Sequence, residues 1–389
     1  MSDKTVFMTI EELAGLSELS YVLYDTRGTA VFDYGTIPGA VDLPDILQAA
    51  DRGELPRDKE LIIFSVRDEH SEELARDLQN IGYDAVALQG GYEAWLCAHI
   101  NDTDRSAEIE RSITSRRCYK EKLFHRFTKA IVEYDMIQPG DKIAVCISGG
   151  KDSMLMAKLF QELKRHDKFP FELVFLVMDP GYREMNRRLI EINAKALGIP
   201  ITVFETSVFD AVYKIEKSPC YLCARMRRGY LYQQAQKLGC NKIALGHHYD
   251  DVIETVLMGM LWGGQMQTMM PKLHSTNFEG MELIRPIYYI REDDIKAWRD
   301  DNDLHFLQCA CRFTEECAVD DGATDSKRME TKRLIKELKK TNPRVEANIF
   351  HSTHNVNIDT VIAYKKDGIV HHFLEDYSSG KDPEREVIE

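Results

Sequence analysis

Six consecutive positions, Ser148-Gly149-Gly150-Lys151-Asp152-Ser153, combine two glycines, a lysine, a carboxylate and two hydroxyls. Glycines let backbone N–H groups approach a phosphate closely, Lys151 adds a cation, and Ser148 and Ser153 add hydroxyl donors. Asp152 is suited to hold Mg²⁺. The apolar run Ile143-Ala144-Val145-Cys146-Ile147 leads into the loop and a helical pattern leaves it from Asp152, so a helix N-terminus adds roughly half a positive charge. A plain strand-to-helix turn needs none of these polar groups. The spacing is not the Gly-x-x-x-x-Gly-Lys-Ser/Thr pattern of the Walker loop.

A second polar group follows another apolar run: Ala244-Leu245-Gly246-His247-His248-Tyr249-Asp250-Asp251, with Glu254 and Thr255 just beyond. An open α/β sheet collects its ligand contacts at the C-terminal ends of strands. Two adjacent histidines alone are commonly satisfied loop residues. Beside a phosphate loop, Gly246, His247, Asp250 and Asp251 become candidate ATP contacts.

The chain has nine cysteines. Cys220-Tyr221-Leu222-Cys223 is a C-x-x-C pair, and Cys309-Ala310-Cys311 with Cys317 follows far downstream. Zinc favours four ligands in paired knuckles, which C-x-C plus a lone cysteine fits poorly. Irregular thiolate sets also hold iron–sulfur clusters. Spacing alone leaves zinc, a cluster, a redox dithiol and plain buried thiols open.

The glycine-rich loop resembles the signature of the PP-loop ATP pyrophosphatases, which adenylate a carbonyl oxygen and release pyrophosphate. Around the cysteines the order is more specific. Cys220-Tyr-Leu-Cys223-Ala-Arg225-Met-Arg227-Arg228-Gly229, Gly246-His247-His248, Trp262-Gly263-Gly264, Met270-Pro271-Lys272-Leu273 and Ile284-Arg285-Pro286 resemble the tRNA 2-thiocytidine synthetase family over about residues 118 to 359. The resemblance implies ATP, Mg²⁺ and a 4Fe–4S cluster, with replacement of a cytidine oxygen in tRNA by sulfur. It implies Cys220, Cys223 and Cys309 as cluster ligands, with Cys311 or Cys317 as alternates because the family usually reads C-x-x-C where this chain has C-x-C. Lys151, Asp152, Cys220 and Cys223 are then the expected catalytic set. Three ligands leave one iron open to carry sulfide. The implied partners are tRNA and a sulfur donor, either a cysteine desulfurase or free sulfide; a homodimer is compatible with this reading.

Arg225, Arg227 and Arg228 suit RNA phosphates, although a solvated helix face is the bland alternative. Lys327, Arg328, Lys332, Arg333, Lys336, Lys339 and Lys340 form a second basic stretch with the same two readings.

Toward the N-terminus, Leu23-Tyr24-Asp25-Thr26-Arg27, Gly35-Thr36-Ile37-Pro38-Gly39-Ala40 and Leu88-Gln89-Gly90-Gly91-Tyr92-Glu93-Ala94-Trp95 resemble the rhodanese sulfurtransferase domain. Where that family carries its persulfide-forming cysteine, after Leu61–Phe64, this chain has Ser65, followed by Val66-Arg67-Asp68-Glu69-His70. A hydroxyl cannot carry a persulfide, and two carboxylates oppose an anion in the loop. The domain is therefore expected to be silent, with Cys97 a packing residue.

These groups need elements to hold them. Residues 1–100 alternate short apolar runs with a helical pattern at Ser71–Ile81, as in a small α/β domain. Residues 101–117 are polar and read as a linker or exposed helix. From Lys142 the pattern alternates strand and helix, predicting α/β with a doubly wound parallel sheet over 118–341, then a C-terminal extension, 342–389, with a frayed acidic tail. At 389 residues the chain exceeds one ordinary core. An apolar fraction of 44% with 29% charged residues is that of a globular protein. The net charge of −14 argues against indiscriminate nucleic-acid binding and leaves room for local basic patches. No apolar run is long enough for a membrane span and the N-terminus lacks a signal-like region, so a cytoplasmic protein is expected. Two rivals stand: the same chemistry on another RNA base or a small molecule, and a non-catalytic iron–sulfur or zinc sensor.

Overall fold

A computed structural model describes residues 6–100, 103–209, 219–306 and 327–377, without the side chains of Ala30, Pro219, Cys220, Tyr221 and Asp376. The chain divides into two compact units, Met1–Asp250 with Met270–Thr324, and Asp251–Met269 with Asp325–Glu389.

The first unit contains two sheets. The N-terminal one has five strands, β1 (Phe7–Met8), β2 (Tyr21–Asp25), β3 (Val41–Asp42), β4 (Glu60–Phe64) and β5 (Ala85–Leu88), in the order β1-β5-β4-β2-β3 with parallel pairing. Leu61, Ile62, Ile63 and Phe64 are all buried, because helices cover both faces of a parallel sheet and its central strand needs a continuous apolar run. The following helix, Asp68–Asn80, buries Leu74, Ala75 and Leu78 against that sheet. It starts three residues before the sequence pattern does, since the first turn is polar and carries no periodic signal.

The second sheet has six strands in the order β10-β11-β9-β6-β7-β8. These are β6 (Lys142–Ile147), β7 (Glu172–Asp179), β8 (Ile201–Glu205), β9 (Lys242–Ala244), β10 (Lys272–His274) and β11 (Glu282–Ile284). All neighbours run parallel except the edge pair β10–β11. The predicted α/β class and doubly wound sheet are thus observed, with one antiparallel edge that the pattern did not show. The chain winds outward from β6 through β7 and β8, then returns to lay β9 on the other side of β6. Adjacent strands that leave in opposite directions open a crevice at their C-terminal ends. Both polar groups, Ser148–Ser153 after β6 and Gly246–Asp251 after β9, begin there.

The polar stretch before this sheet forms a helix, Ser106–Ser115, whose Ile109 and Ile113 are buried one turn apart. Its Ser112 hydroxyl accepts a hydrogen bond from the buried Trp298 indole at 3.1 Å.

The second unit, taken by itself, contains the helix Lys327–Thr341, the helix Val345–Ser352 and a two-stranded hairpin, β12 (Ala363–Lys366) and β13 (Ile369–His372). The expected frayed tail lies outside the described residues. Among the described residues, no helix is long and apolar enough to cross a membrane.

Candidate nucleotide and sulfur-transfer site

The buried strand β6 delivers the loop to the crevice. Gly149 adopts φ 89°, a conformation costly for any residue with a Cβ. The helix Lys151–Arg165 begins immediately and is packed tightly, with Met154, Leu155 and Met156 fully buried. Within the turn, the Ser153 hydroxyl accepts from Ser148 N–H at 3.1 Å and donates to the Gly150 carbonyl at 2.9 Å, which ties the two ends of the loop together. The loop after β9 closes on it: a Cβ added at Gly246 would lie 3.3 Å from the Ser153 backbone. Glycine is therefore the residue that lets the two loops meet.

A cavity of about 280 Å³ opens at this meeting point, near the lower end for ligand pockets. Its walls include Ser148, Asp152, Ser153, Gly246 and His247 from the two loops, and Ala224, Arg227, Arg228 and Leu231 from the helix Pro219–Lys237. The offsets of three, four and seven residues from Ala224 are those of one helix face. Arg227 and Arg228, expected to meet RNA, thus stand in the cavity wall, while Arg225 is exposed and outside it.

Lys151 is not among the lining residues. Its ammonium is buried, 3.2 Å from Asp152 Oδ2 and 3.3 Å from Glu292 Oε1. Burial alone would lower its pKa, but Asp152 and Glu292 outweigh burial and raise it above the ordinary lysine value. The other oxygen of Asp152, Oδ1, is buried with no hydrogen-bond partner. A buried carboxylate oxygen left this way is costly unless a ligand or cation completes it, so the donor set fits a Mg²⁺-nucleotide. His248 is buried 3.9 Å from Asp152 Oδ1 and 3.8 Å from Asp250 Oδ2, beyond hydrogen-bond range. Asp250 caps the helix at Glu292, accepting its N–H at 2.7 Å, and pairs with Arg291 at 3.1 Å. It therefore supports the site from behind. Asp251 belongs to the second unit, where Arg328 lies 3.3 Å away. Sequence reasoning missed Glu292 and Tyr34, which reach this region from distant segments with no local signal. Arg285, of the run Ile284-Arg285-Pro286, donates to His247 Nδ1 at 3.4 Å.

Of the expected cluster ligands, only Cys223 has a described side chain. It is buried with Val208 and Phe209, and Tyr182, Leu222 and Met226 pack against that group. Cys309, Cys311 and Cys317 lie outside the described residues, as does the Cys220 side chain. In the second basic stretch, Arg328, Lys339 and Lys340 already have carboxylate partners within their unit. Lys327, Lys332, Arg333 and Lys336 are exposed.

In the N-terminal domain, Ser65 directly follows β4 and is buried, and Asp68 accepts the Gly90 N–H at 2.9 Å. Burial, reinforced by Glu69, raises the Asp68 pKa against the lowering effect of that hydrogen bond. Cys97 is partly buried 4.0 Å from the Met185 carbonyl, and burial pushes its thiol up, away from the thiolate a sulfur carrier needs.

Comparison with known proteins matches residues 119–311 to a PP-loop domain and residues 9–98 to a rhodanese-like domain. The chain is 33% identical over 266 residues to a tRNA-cytidine(32) 2-sulfurtransferase of Anaeromyxobacter dehalogenans, covering 67% of this chain and 87% of the relative. It is 35% identical over 240 residues to the enzyme of that name from Citrifermentans bemidjiense, covering 61% and 91%. Among solved structures, the U34-tRNA thiolase NcsA from Methanococcus maripaludis, which carries a 4Fe–4S cluster, aligns with a TM-score of 0.49 at 22% identity, covering 61% of this chain and 78% of that one.

Proposed function

From the premise that the chain belongs to the tRNA-cytidine(32) 2-sulfurtransferase family and is an ATP-dependent sulfurtransferase, we propose that it thiolates a cytidine of tRNA to 2-thiocytidine, in the cavity between Ser148–Ser153 and Gly246–His247. The observation that carries this reading is the helix Pro219–Lys237. Cys223 precedes Arg227 by one turn, so the cysteine pair lies at the end of the helix whose face walls the phosphate-loop cavity. This supports placing sulfur chemistry and nucleotide chemistry next to each other on one helix.

The division of labour follows from the groups. Backbone N–H groups of the loop and the helix N-terminus receive phosphate, with Ser148 as an added hydroxyl donor. Asp152 Oδ1 is the buried acceptor that supports placing Mg²⁺ here, while Lys151 holds the carboxylate by its second oxygen. Arg227 and Arg228 supply the charge that the leaving phosphates or the tRNA backbone need. Once the cytidine oxygen has been adenylated and sulfide has added to the carbon, AMP departs far more readily than oxide would. Cys220, Cys223 and Cys309, or Cys311 or Cys317 in place of the last, would hold a 4Fe–4S cluster whose role is to present sulfur. The sulfur itself comes from a desulfurase or free sulfide, since Ser65 leaves the rhodanese-like domain without a persulfide carrier. In this reading residues 101–117 join the rhodanese-like domain to a catalytic domain over 118–341, and 342–389 form an extension.

The test is tRNA-dependent release of AMP and pyrophosphate by the anaerobically purified chain, with nucleoside mass spectrometry of the tRNA. Mass gain on a nucleoside other than cytidine would overturn the substrate, and absence of AMP release would overturn the mechanism.

A further inference from the structure

The rhodanese-like domain lacks its sulfur carrier, yet it meets the second sheet at the loops that matter. Arg183 Nη1, in the loop after β7, donates to the Val66 carbonyl at 3.3 Å, in the segment where a persulfide cradle would be. Tyr34, at the end of the helix Thr29–Tyr34, reaches the phosphate loop itself. Its ring centroid lies 6.0 Å from Lys151 Nζ and 5.2 Å from the Arg299 guanidinium carbon. Arg299 Nη1 also faces the Tyr34 carbonyl at 3.4 Å, which anchors the backbone on which the ring stands. Burial, first, and then Asp152 keep the phenol protonated, against the opposing pull of Lys151 and Arg299. A neutral ring with its negative face toward two cations is attractive to both.

Resting on the ATP-site reading above, we propose that Tyr34 is a positioning residue of the nucleotide site, supplied by a domain that has lost its own chemistry. The ring shields the Lys151 ammonium from water and keeps it against Asp152 and Glu292. Lys151 in turn engages Asp152 Oδ2, so Oδ1 stays fixed for a cation. Without the ring, water reaches the lysine, the Lys151–Asp152 pair weakens, and the carboxylate loses its orientation. The serine-bearing domain therefore backs the ATP site through Lys151, without lining its cavity.

The experiment is calorimetric titration of the full chain with Mg²⁺ and a non-hydrolysable ATP analogue, together with kcat and KM for ATP in tRNA-dependent AMP release. Tyr34→Leu is expected to weaken the analogue about tenfold, with KM for ATP rising in parallel and KM for tRNA unchanged. Tyr34→Phe, which keeps the ring, should bind within about twofold of the parent. Arg183→Ala, at the same domain contact but away from Lys151, should bind as the parent does. Should Tyr34→Leu fail to fold, Tyr34→Met is measured by the same criteria. Parent-like binding by the leucine or methionine variant overturns the proposal, as does loss in the phenylalanine variant or an equal loss in Arg183→Ala, which would mark a merely structural contact. A parent chain that binds no analogue overturns the site reading and this inference together.

Discussion

At the scale of single residues, the site is organised by one carboxylate with two different tasks. Asp152 gives Oδ2 to Lys151 and keeps Oδ1 without a hydrogen-bond partner. Asp152→Asn keeps the shape and removes the charge a cation needs, so AMP release should fall by about 100-fold or more while the fold persists, which melting and steady-state assays check together. Glu292→Gln leaves the buried Lys151 with one carboxylate. We expect a loss of about 1.5 kcal/mol in denaturant unfolding, the scale of one charge-assisted contact, since Lys151 keeps its pairing with Asp152. Asp68 yields a pH prediction. Its folded pKa lies above the ordinary 3.8, so the folded state binds that proton more tightly than the unfolded one. This favours folding below the unfolded pKa and is lost as pH rises through the folded one. Asp68→Asn retains an acceptor for Gly90 N–H without a buried charge. The Tm difference, variant minus parent, should become more positive as pH rises through the carboxylate range, as calorimetry at several pH values will show.

At the scale of elements, the helix Pro219–Lys237 is proposed to serve both chemistries, and its geometry separates their mutants. Cys223→Ala should abolish thiolation while nucleotide binding stays near the parent value. Arg227→Ala should raise KM for ATP about tenfold with iron and sulfide content unchanged. Counting iron, sulfide and zinc per chain in both variants checks this, and repeating it with Cys309→Ala, Cys311→Ala and Cys317→Ala assigns the remaining ligand. The helix was legible as a helix, and its arginines as candidate phosphate contacts. Their direction toward the cavity was not, because a run of three arginines within four residues spreads around the helix, and only the tertiary structure turns the face of Ala224, Arg227, Arg228 and Leu231 to the cavity. The segment 101–117 shows the reverse. Its charge hid two buried isoleucines, since an amphipathic helix with few apolar residues looks polar in any average over its length.

At the scale of the molecule, a chain of net charge −14 must bind a polyanion through a local basic surface. Affinity for tRNA should therefore fall steeply with salt, and the slope should lessen by about one unit for each phosphate-contacting arginine removed. Filter binding of the parent and of Arg225→Ala over a range of potassium chloride measures this. Ser65→Cys is expected to remain inactive with thiosulfate, because Asp68 and Glu69 still place negative charge at the start of the adjoining helix, where a persulfide would have to sit. Release of thiosulfate sulfur to cyanide by that variant would show otherwise.

The amino-acid sequence alone determined the parts that chemistry writes into neighbouring residues: the phosphate loop, the cysteine pair, the serine in place of a catalytic cysteine, and the strand–helix alternation that makes a doubly wound sheet. Each is local, and a local pattern needs only its own few positions to be recognised. Tertiary structure decided what depends on segments far apart in the chain. It sent Lys151 to Glu292 and away from the cavity lining, turned Arg227 and Arg228 into the cavity wall, and brought Tyr34 from the other domain to within 6.0 Å of the lysine. A buried charge must find its partner wherever the fold supplies one, and no spacing within the loop Ser148–Ser153 records which distant carboxylate or ring that is.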